Sequence, residues 1–256
     1  MQMTGNTLLI TGGGSGIGQA LAIAFHALGN QVILAGRRKQ LLDETIAAHP
    51  GMQAVVLDIE DPAAIQAFGH SVAEKFPTLN GVIHSAGIMR NENLQACALE
   101  DAEATITTNL LGPIRLTAAL LPHLLKQPHA SVMTVSSGLA FVPLNLTPSY
   151  CASKAAVHSY TQSLRYQLQG SRVQVIELVP PYVQTSLMGA RQANDPHAMP
   201  LADFIAQTMQ LLATTPNATE ILVERVKPLR FAEKNGPYDH FFKTFNDNMT
   251  AARKDE

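Results

Sequence analysis

A chain of 256 residues that is 46% hydrophobic can bury one large core and leaves little room for a second full domain. A formal net charge of −2 provides no basic field for nucleic acid, and no apolar run approaches the ~18–20 residues needed to span a bilayer. Cys97 and Cys151 lie far apart, and the N-terminus lacks the basic start and cleavage site of a signal peptide, so a cytoplasmic protein with reduced thiols is expected.

Taken in chain order, short apolar strands alternate with amphipathic helices. Thr7 to Ile10 predicts a buried strand, followed by a glycine-rich turn and a helix through about His26. Gln31 to Ala35 predicts a second strand, Leu41 to His49 a helix, and Ala54 to Leu57 a third strand ending at Asp58. A helix over Pro62 to Lys75 has its proline in an early turn, where it is tolerated, and Gly81 to His84 makes a fourth strand. Leu99 to Lys126 reads as one longer helix, Ser131 to Val135 as strand five, Ser149 to Leu168 as helix and Val173 to Leu178 as strand six. Beyond Pro180 the regularity fades. Residues 186–200 predict a mobile loop, Leu201 to Thr214 a helix, and Glu220 to Val223 a last strand. Apolar strands joined by helical crossovers predict an α/β, Rossmann-type doubly wound parallel sheet flanked by helices, one domain over residues 1–256. Residues 185–215 are the expected substrate lid.

The first strand leads into Thr11-Gly12-Gly13-Gly14-Ser15-Gly16-Ile17-Gly18 and then a helix. Glycine permits the sharp turn and lets backbone approach a pyrophosphate, whose charge suits a helix N-terminus. Gly12, Gly16 and Gly18 are the key positions, with Gly14, Ser15 and Ile17 as further candidate contacts. A plain tight turn is the competing reading, weakened by the strand before and the helix after. The second strand ends in Gly36-Arg37-Arg38, without the acid that bonds ribose hydroxyls in NAD-preferring folds. Arg37 and Arg38 therefore predict NADP through its 2′-phosphate, or else are solvated surface charges. Asp58 would accept from the adenine amine, with Ile59 beside it, or would cap the next helix.

Tyr150 and Lys154 share one helix face, one turn apart. A cation beside a phenol favours the phenolate, and free tyrosine, titrating near ~10, exchanges protons poorly at neutral pH without such help. The expectation is therefore a lowered Tyr150 pKa. Pro113, four residues after Asn109 in a helical stretch, has no backbone N–H. It either frees the Asn109 carbonyl to hold a water, or marks a simple kink or a helix starting at Gly112-Pro113.

With these pieces in order, the chain resembles the short-chain dehydrogenase/reductase family from Thr7 to about Thr185. The resemblance rests on the Thr11–Gly18 loop, Ala86-Gly87, Asn109, Ser136-Ser137, Tyr150 to Lys154 and Pro180 through Thr185. Ser136 to Phe141, the Tyr150 segment and Pro180-Pro181 are most similar to the DltE-like branch. The resemblance implies that Tyr150 donates the proton in reduction and that Lys154 lowers its pKa and binds the nicotinamide ribose. Ser137, thirteen residues before Tyr150 and preferred over Ser136, would polarise the substrate carbonyl. Asn109 would anchor a relay water and Thr185 would contact the nicotinamide carboxamide. Ser85, Ala86, Gly87, Pro180 and Val183 complete the implied cofactor contacts, and dimers or tetramers packed through the helices from Leu99 and Ser149 are implied.

Two positions depart from the family pattern. His84-Ser85-Ala86-Gly87 replaces the usual Asn-Asn-Ala-Gly, and Pro180-Pro181 replaces Pro-Gly, which stiffens the hinge before the lid. Cys151 reads as a small buried side chain, His84 and His158 as structural histidines or site neighbours, and the nine histidines show no metal-ligand spacing. Phe141, Val142, Leu144, Leu146, Leu187 and Met188 either line an apolar pocket or pack ordinarily. The expected activity is NADP(H)-dependent interconversion of a small carbonyl and an alcohol. An NAD-dependent alcohol dehydrogenase and a non-catalytic cofactor sensor are the alternatives.

Overall fold

The computed structural model describes residues 1–251. Residues 252–256, which the one-domain expectation also covers, lie outside the described residues. Strand β1 (Thr7–Thr11) is buried along its whole length, as its unbroken apolar run requires of a strand covered on both faces. Leu8 and Ile10 point into one core and Leu9 into the other, the period-2 alternation of a pleated strand. Around it lie β2 (Gln31–Gly36), β3 (Gln53–Val56), β4 (Leu79–His84), β5 (Ala130–Val135), β6 (Val173–Leu178) and β7 (Glu220–Ile221). All pairings are parallel, in the order β3-β2-β1-β4-β5-β6-β7.

One core is closed by α1 (Gly16–Ala27) and α8 (Leu201–Thr214), which bury Leu21, Phe25 and Phe204. The other is closed by α3 (Pro62–Lys75), α5 (Gly112–Leu124) and α6 (Pro148–Gln167), through Phe68, Leu116 and Leu164. Helix α2 (Lys39–Ala48) follows β2. Strand order reverses between β1 and β4, and a crevice lies at the C-terminal ends of the strands there.

The helix expected over Leu99 to Lys126 resolves into α4 (Glu100–Ile106), a π-helical turn at Thr107–Leu111, and α5 with Pro113 in its first turn. Leu111 and Gly112 are themselves helical, so Pro113 sits inside a continuous helical stretch, directly after the π turn, and not at a free helix start. The cap of α3 is Asp61, whose Oδ1 accepts from the N–H groups of Ala63 and Ala64 at 2.8 and 3.1 Å. Asp58 instead accepts from the Glu60 N–H at 2.9 Å.

The stretch 186–200 is organised, contrary to expectation. It holds the short helix α7 (Ala190–Asn194) and a parallel bridge between Val183 and Met199. Gln192 Nε2 donates to the carbonyl of Val183 at 2.9 Å and to Thr185 Oγ1 at 3.1 Å, and Asp195 accepts from the Tyr182 hydroxyl at 3.0 Å. Side-chain amides and a carboxylate thus replace the missing regular pattern. The second half of the expected lid is core, since Phe204 of α8 is fully buried. Three further helices, α9 (Lys227–Arg230), α10 (Ala232–Asn235) and α11 (Tyr238–Ala251), follow β7 and were not foreseen. Cys97 is exposed and Cys151 buried, both free thiols. Among the described residues, no helix is long and apolar enough to cross a membrane.

Candidate active site

A cavity of about 870 Å³ occupies the crevice at the C-terminal ends of the strands. Its first wall is the turn after β1. Gly12 has φ +69°, and a Cβ there would lie 2.9 Å from the backbone nitrogen of Ala86. Gly18 is as constrained, its Cβ position lying 2.6 Å from the Gly12 carbonyl oxygen. Only glycine fits either place, so the β1 and β4 loops close against each other through bare backbone. Thr11 Oγ1 ties them further, accepting from the N–H groups of Ser85 and Ala86, each at 3.1 Å.

Gly12, Gly14, Ser15, Gly16, Ile17, Gly18, Arg37, Arg38, Ile59, Ser85, Ala86, Gly87, Pro180, Val183 and Thr185 all line the cavity. Asp58 does not; its carboxylate is turned onto its own loop. Arg38 donates to Ser15 Oγ at 2.7 Å, whereas Arg37 is paired with Glu60 at 2.8 Å. The two arginines are thus not equivalent. The open glycine turn with a guanidinium at its flank fits a dinucleotide pyrophosphate and a further anionic group.

At the deeper end, Tyr150 and Lys154 from the start of α6 meet Ser137 from the turn after β5. The Ser137 hydroxyl hydrogen-bonds the Tyr150 phenol and also accepts from the Leu139 N–H at 3.1 Å. Lys154 Nζ donates to the carbonyl of Val135 at 2.7 Å and lies 5.6 Å from the Tyr150 ring centre. Ser136 Oγ is buried without a partner, so Ser137 is the serine that reaches the phenol. Asn109 sits behind the cavity rather than in its wall. Its amide bridges the Ile88 backbone, accepting from the N–H at 2.8 Å and donating to the carbonyl at 2.9 Å, and it also donates to Ser153 Oγ at 3.1 Å.

The lowered Tyr150 pKa expected from Lys154 is not what the site holds. Burial pushes the phenol up to about 12, with the Ser137 hydrogen bond opposing. Burial also pulls Lys154 down to about 8, with the Glu177 carboxylate opposing. The reason is shared: both side chains are almost wholly buried, and the ammonium donates to a backbone carbonyl.

The rest of the cavity is apolar. Leu144, Leu187 and Met188 line it as anticipated, whereas Phe141, Val142 and Leu146 do not. Met89, Leu139, Leu229, Phe245 and Met249 were missed. The last two come from α11, whose Phe241, Phe245 and Met249 repeat at helical spacing, a signal that was present in the sequence. Among the described residues, one group could gather a metal ion: His158, Glu177 and Glu220, which come together only through the fold.

A family model described as short chain dehydrogenase matches residues 6–196. The chain belongs to the short-chain dehydrogenase family. This dehydrogenase is 36% identical over 252 residues to an uncharacterized oxidoreductase, DltE, of Bacillus subtilis, covering 96% of this chain and 98% of that protein. Among solved structures it is similar to a short-chain dehydrogenase/reductase from Burkholderia phymatum in complex with NAD, with TM-score 0.80, 21% identity and coverage of 92% and 95%. It is also similar to an alcohol dehydrogenase from Thermococcus sibiricus complexed with 5-hydroxy-NADP, with TM-score 0.77, 22% identity and coverage of 86% and 97%. The dehydrogenase is accordingly an oxidoreductase with the Rossmann-type fold of that family.

Proposed function

We propose that the chain is an NADP(H)-preferring reductase that interconverts a carbonyl and an alcohol, with Tyr150 as its acid and base. The observation that carries this reading is the meeting of Ser137, Tyr150 and Lys154 at the closed end of a cavity whose other end is a glycine turn flanked by Arg38. When bound, the nicotinamide cofactor supplies the hydride to the carbonyl carbon. Ser137 donates a hydrogen bond to the carbonyl oxygen, Tyr150 gives that oxygen its proton, and Lys154 compensates the charge left on the phenolate. Burial that holds the free phenol at about 12 keeps the proton in place until negative charge develops beside it. Asn109 fixes the Ile88 loop and, through Ser153, the helix that carries Tyr150 and Lys154.

The apolar walls suit a small to medium, partly apolar substrate, and we read residues 185–200 as the lid. Exposed Leu94, Leu99 and Tyr166 around α4 and α6 support a homodimer or homotetramer, which sedimentation would test. A second reading, NAD as cofactor, is favoured by one observation: Glu60 is paired with Arg37, which would leave Arg38 alone to meet a 2′-phosphate. Fluorescence titration with NADPH and NADH decides between them.

The test of the chemistry is Tyr150→Phe assayed against ketones, aldehydes and quinones. Turnover falling by roughly 10²–10⁴-fold with unchanged NADPH affinity is the expected outcome. Near-normal turnover overturns Tyr150 as the acid and base, whereas a wild-type protein that binds cofactor and turns over none of the panel leaves a non-catalytic sensor as the better reading.

A further inference from the structure

Behind the active site lies a buried charge that the chemistry above does not use. Glu177 of β6 is fully buried. It is in register with Thr134 of β5 and Glu220 of β7, so the three side chains share one face of the sheet. Thr134 bonds Thr161 of α6 at 2.8 Å, which identifies that face as the one beneath α6. On α6, Tyr150, Lys154 and His158 follow each other at single-turn spacing along one stripe. His158 Nδ1 meets one Glu177 oxygen at 2.8 Å, while the other oxygen, Oε1, has no hydrogen-bond partner. Lys154 itself is anchored to the carbonyl of Val135, the residue after Thr134, so the ammonium and the carboxylate lie over neighbouring positions of adjoining strands.

A half-satisfied carboxylate in a core is costly, and an apolar side chain would fill this place without that cost. A metal ion is a poor explanation. Arg230 engages both oxygens of Glu220, at 2.8 and 2.9 Å, and Arg165 lies close enough to act on Glu177 and Glu220 electrostatically. One guanidinium already engages Glu220, and a second, bonded to the carbonyls of Val175 and Thr219, adds positive charge nearby.

We propose that Glu177 is a positioning residue for the reaction: its buried carboxylate holds the Lys154 side chain as an ammonium inside the core, with His158 clamping the carboxylate from the solvent side. This rests on the reading of Lys154 as the lysine that serves Tyr150 and the nicotinamide ribose. Deprotonated, Lys154 would have no charge to offer either. The charge of Glu177 opposes the burial that draws Lys154 down to about 8, and thereby widens the pH range over which the site works. Lys154 faces Tyr150, with the Cys151 thiol adjoining, and Glu177. Glu177 in turn faces His158 and Arg165 from α6, Glu220 from β7 and Arg230 from α9.

The experiment is Glu177→Gln, with Glu177→Asp as the charge-retaining control, in the full chain. Two readouts are followed against pH: NADPH affinity by fluorescence without substrate, and NADPH oxidation with the best carbonyl compound of the panel. In Glu177→Gln both alkaline limits move to lower pH by roughly 1–2 pH units, as expected for losing a unit charge that lies beyond direct ion-pair distance at an effective dielectric near ~20. Glu177→Asp keeps them near the wild-type position. Folded Glu177→Gln with both limits unmoved overturns the proposal. Should the amide prevent folding, Glu177→Met, similar in volume and without a polar group to satisfy, makes the same prediction. Lys154→Met separates the two levels: loss of turnover and of the alkaline limit of binding sustains the role of Lys154 whatever Glu177 does. Retention of both overturns that role and the proposal with it.

Discussion

Glu60 holds Arg37 at 2.8 Å and also accepts from Thr108 at 2.7 Å, so one carboxylate locks the first arginine while the second stays on the glycine turn. Removing Arg38 (Arg38→Ala) is expected to weaken NADPH by roughly 10–100-fold, with little change for NADH, the size of one lost charge-assisted contact. Glu60→Gln releases Arg37 and removes a negative charge, and is expected to strengthen NADPH several-fold. Fluorescence titration with both cofactors checks the pair. Equal losses for NADPH and NADH in Arg38→Ala would mean that Arg38 does not meet the 2′-phosphate.

His84 is the buried histidine at the end of β4, bonded through Nε2 to Thr117 at 2.9 Å and unpartnered at Nδ1. Burial pulls its pKa from 6.5 to about 4, so the folded protein keeps it neutral while the unfolded chain binds a proton below 6.5. Stability is expected to be level above pH 6.5 and to fall from there toward pH 4, by on the order of 3 kcal/mol in total. His84→Asn should flatten the urea midpoint over that interval. A slope that survives the substitution belongs to other groups.

Gly12→Ala meets both a positive φ and the Ala86 backbone at 2.9 Å. Strain alone costs about 1–2 kcal/mol, and the displaced β4 loop should cost cofactor affinity as well. Gly14→Ala is the milder control, since its φ is not positive and a Cβ there meets Leu41 Cβ at 3.2 Å and Leu42 Cδ2 at 3.5 Å, contacts that a shift of about a few tenths of an ångström relieves. Thermal melts with and without NADPH distinguish the two, and equal melts for both variants would refute the crowding argument.

Phe245 and Met249 are the parts of the apolar wall farthest in sequence from the chemistry. Phe245→Ala is expected to raise KM for apolar ketones by roughly tenfold, with kcat and NADPH affinity kept, as for a lost hydrophobic contact worth about 1–3 kcal/mol. A fall in kcat at constant KM would instead place the side chain against the reacting atoms.

The sheet was legible because its central strands β1, β2 and β4 are largely buried and read as apolar runs next to glycine-containing turns. The cofactor turn was legible for a related reason: Gly12 and Gly18 cannot be any other residue without a clash. What stayed hidden depends on tertiary neighbours. Nothing near Arg37 in sequence announces that Glu60 will neutralise it. Side-chain hydrogen bonds from Gln192 and Asp195 order residues 186–200 without any periodic pattern. The direction of the Tyr150 shift was misjudged because spacing on a helix reports who the neighbours are, whereas burial decides how much a charge costs.

Asn246 is the buried residue of α11, and its side chain accepts from the Asn145 N–H at 2.7 Å and donates to the carbonyls of Pro143 and Phe242, each at 3.0 Å. One amide therefore pins the helix that walls the substrate end to the segment leading into α6. Lifting that helix breaks this anchor, the bond from the Tyr238 hydroxyl to the carbonyl of Phe141 at 3.2 Å and a few apolar contacts, and leaves every strand pairing intact, so its opening free energy is a small part of that for global unfolding. The far wall can act as a door that swings during the lifetime of the folded state, exchanging substrate while the sheet and its cofactor turn stay rigid.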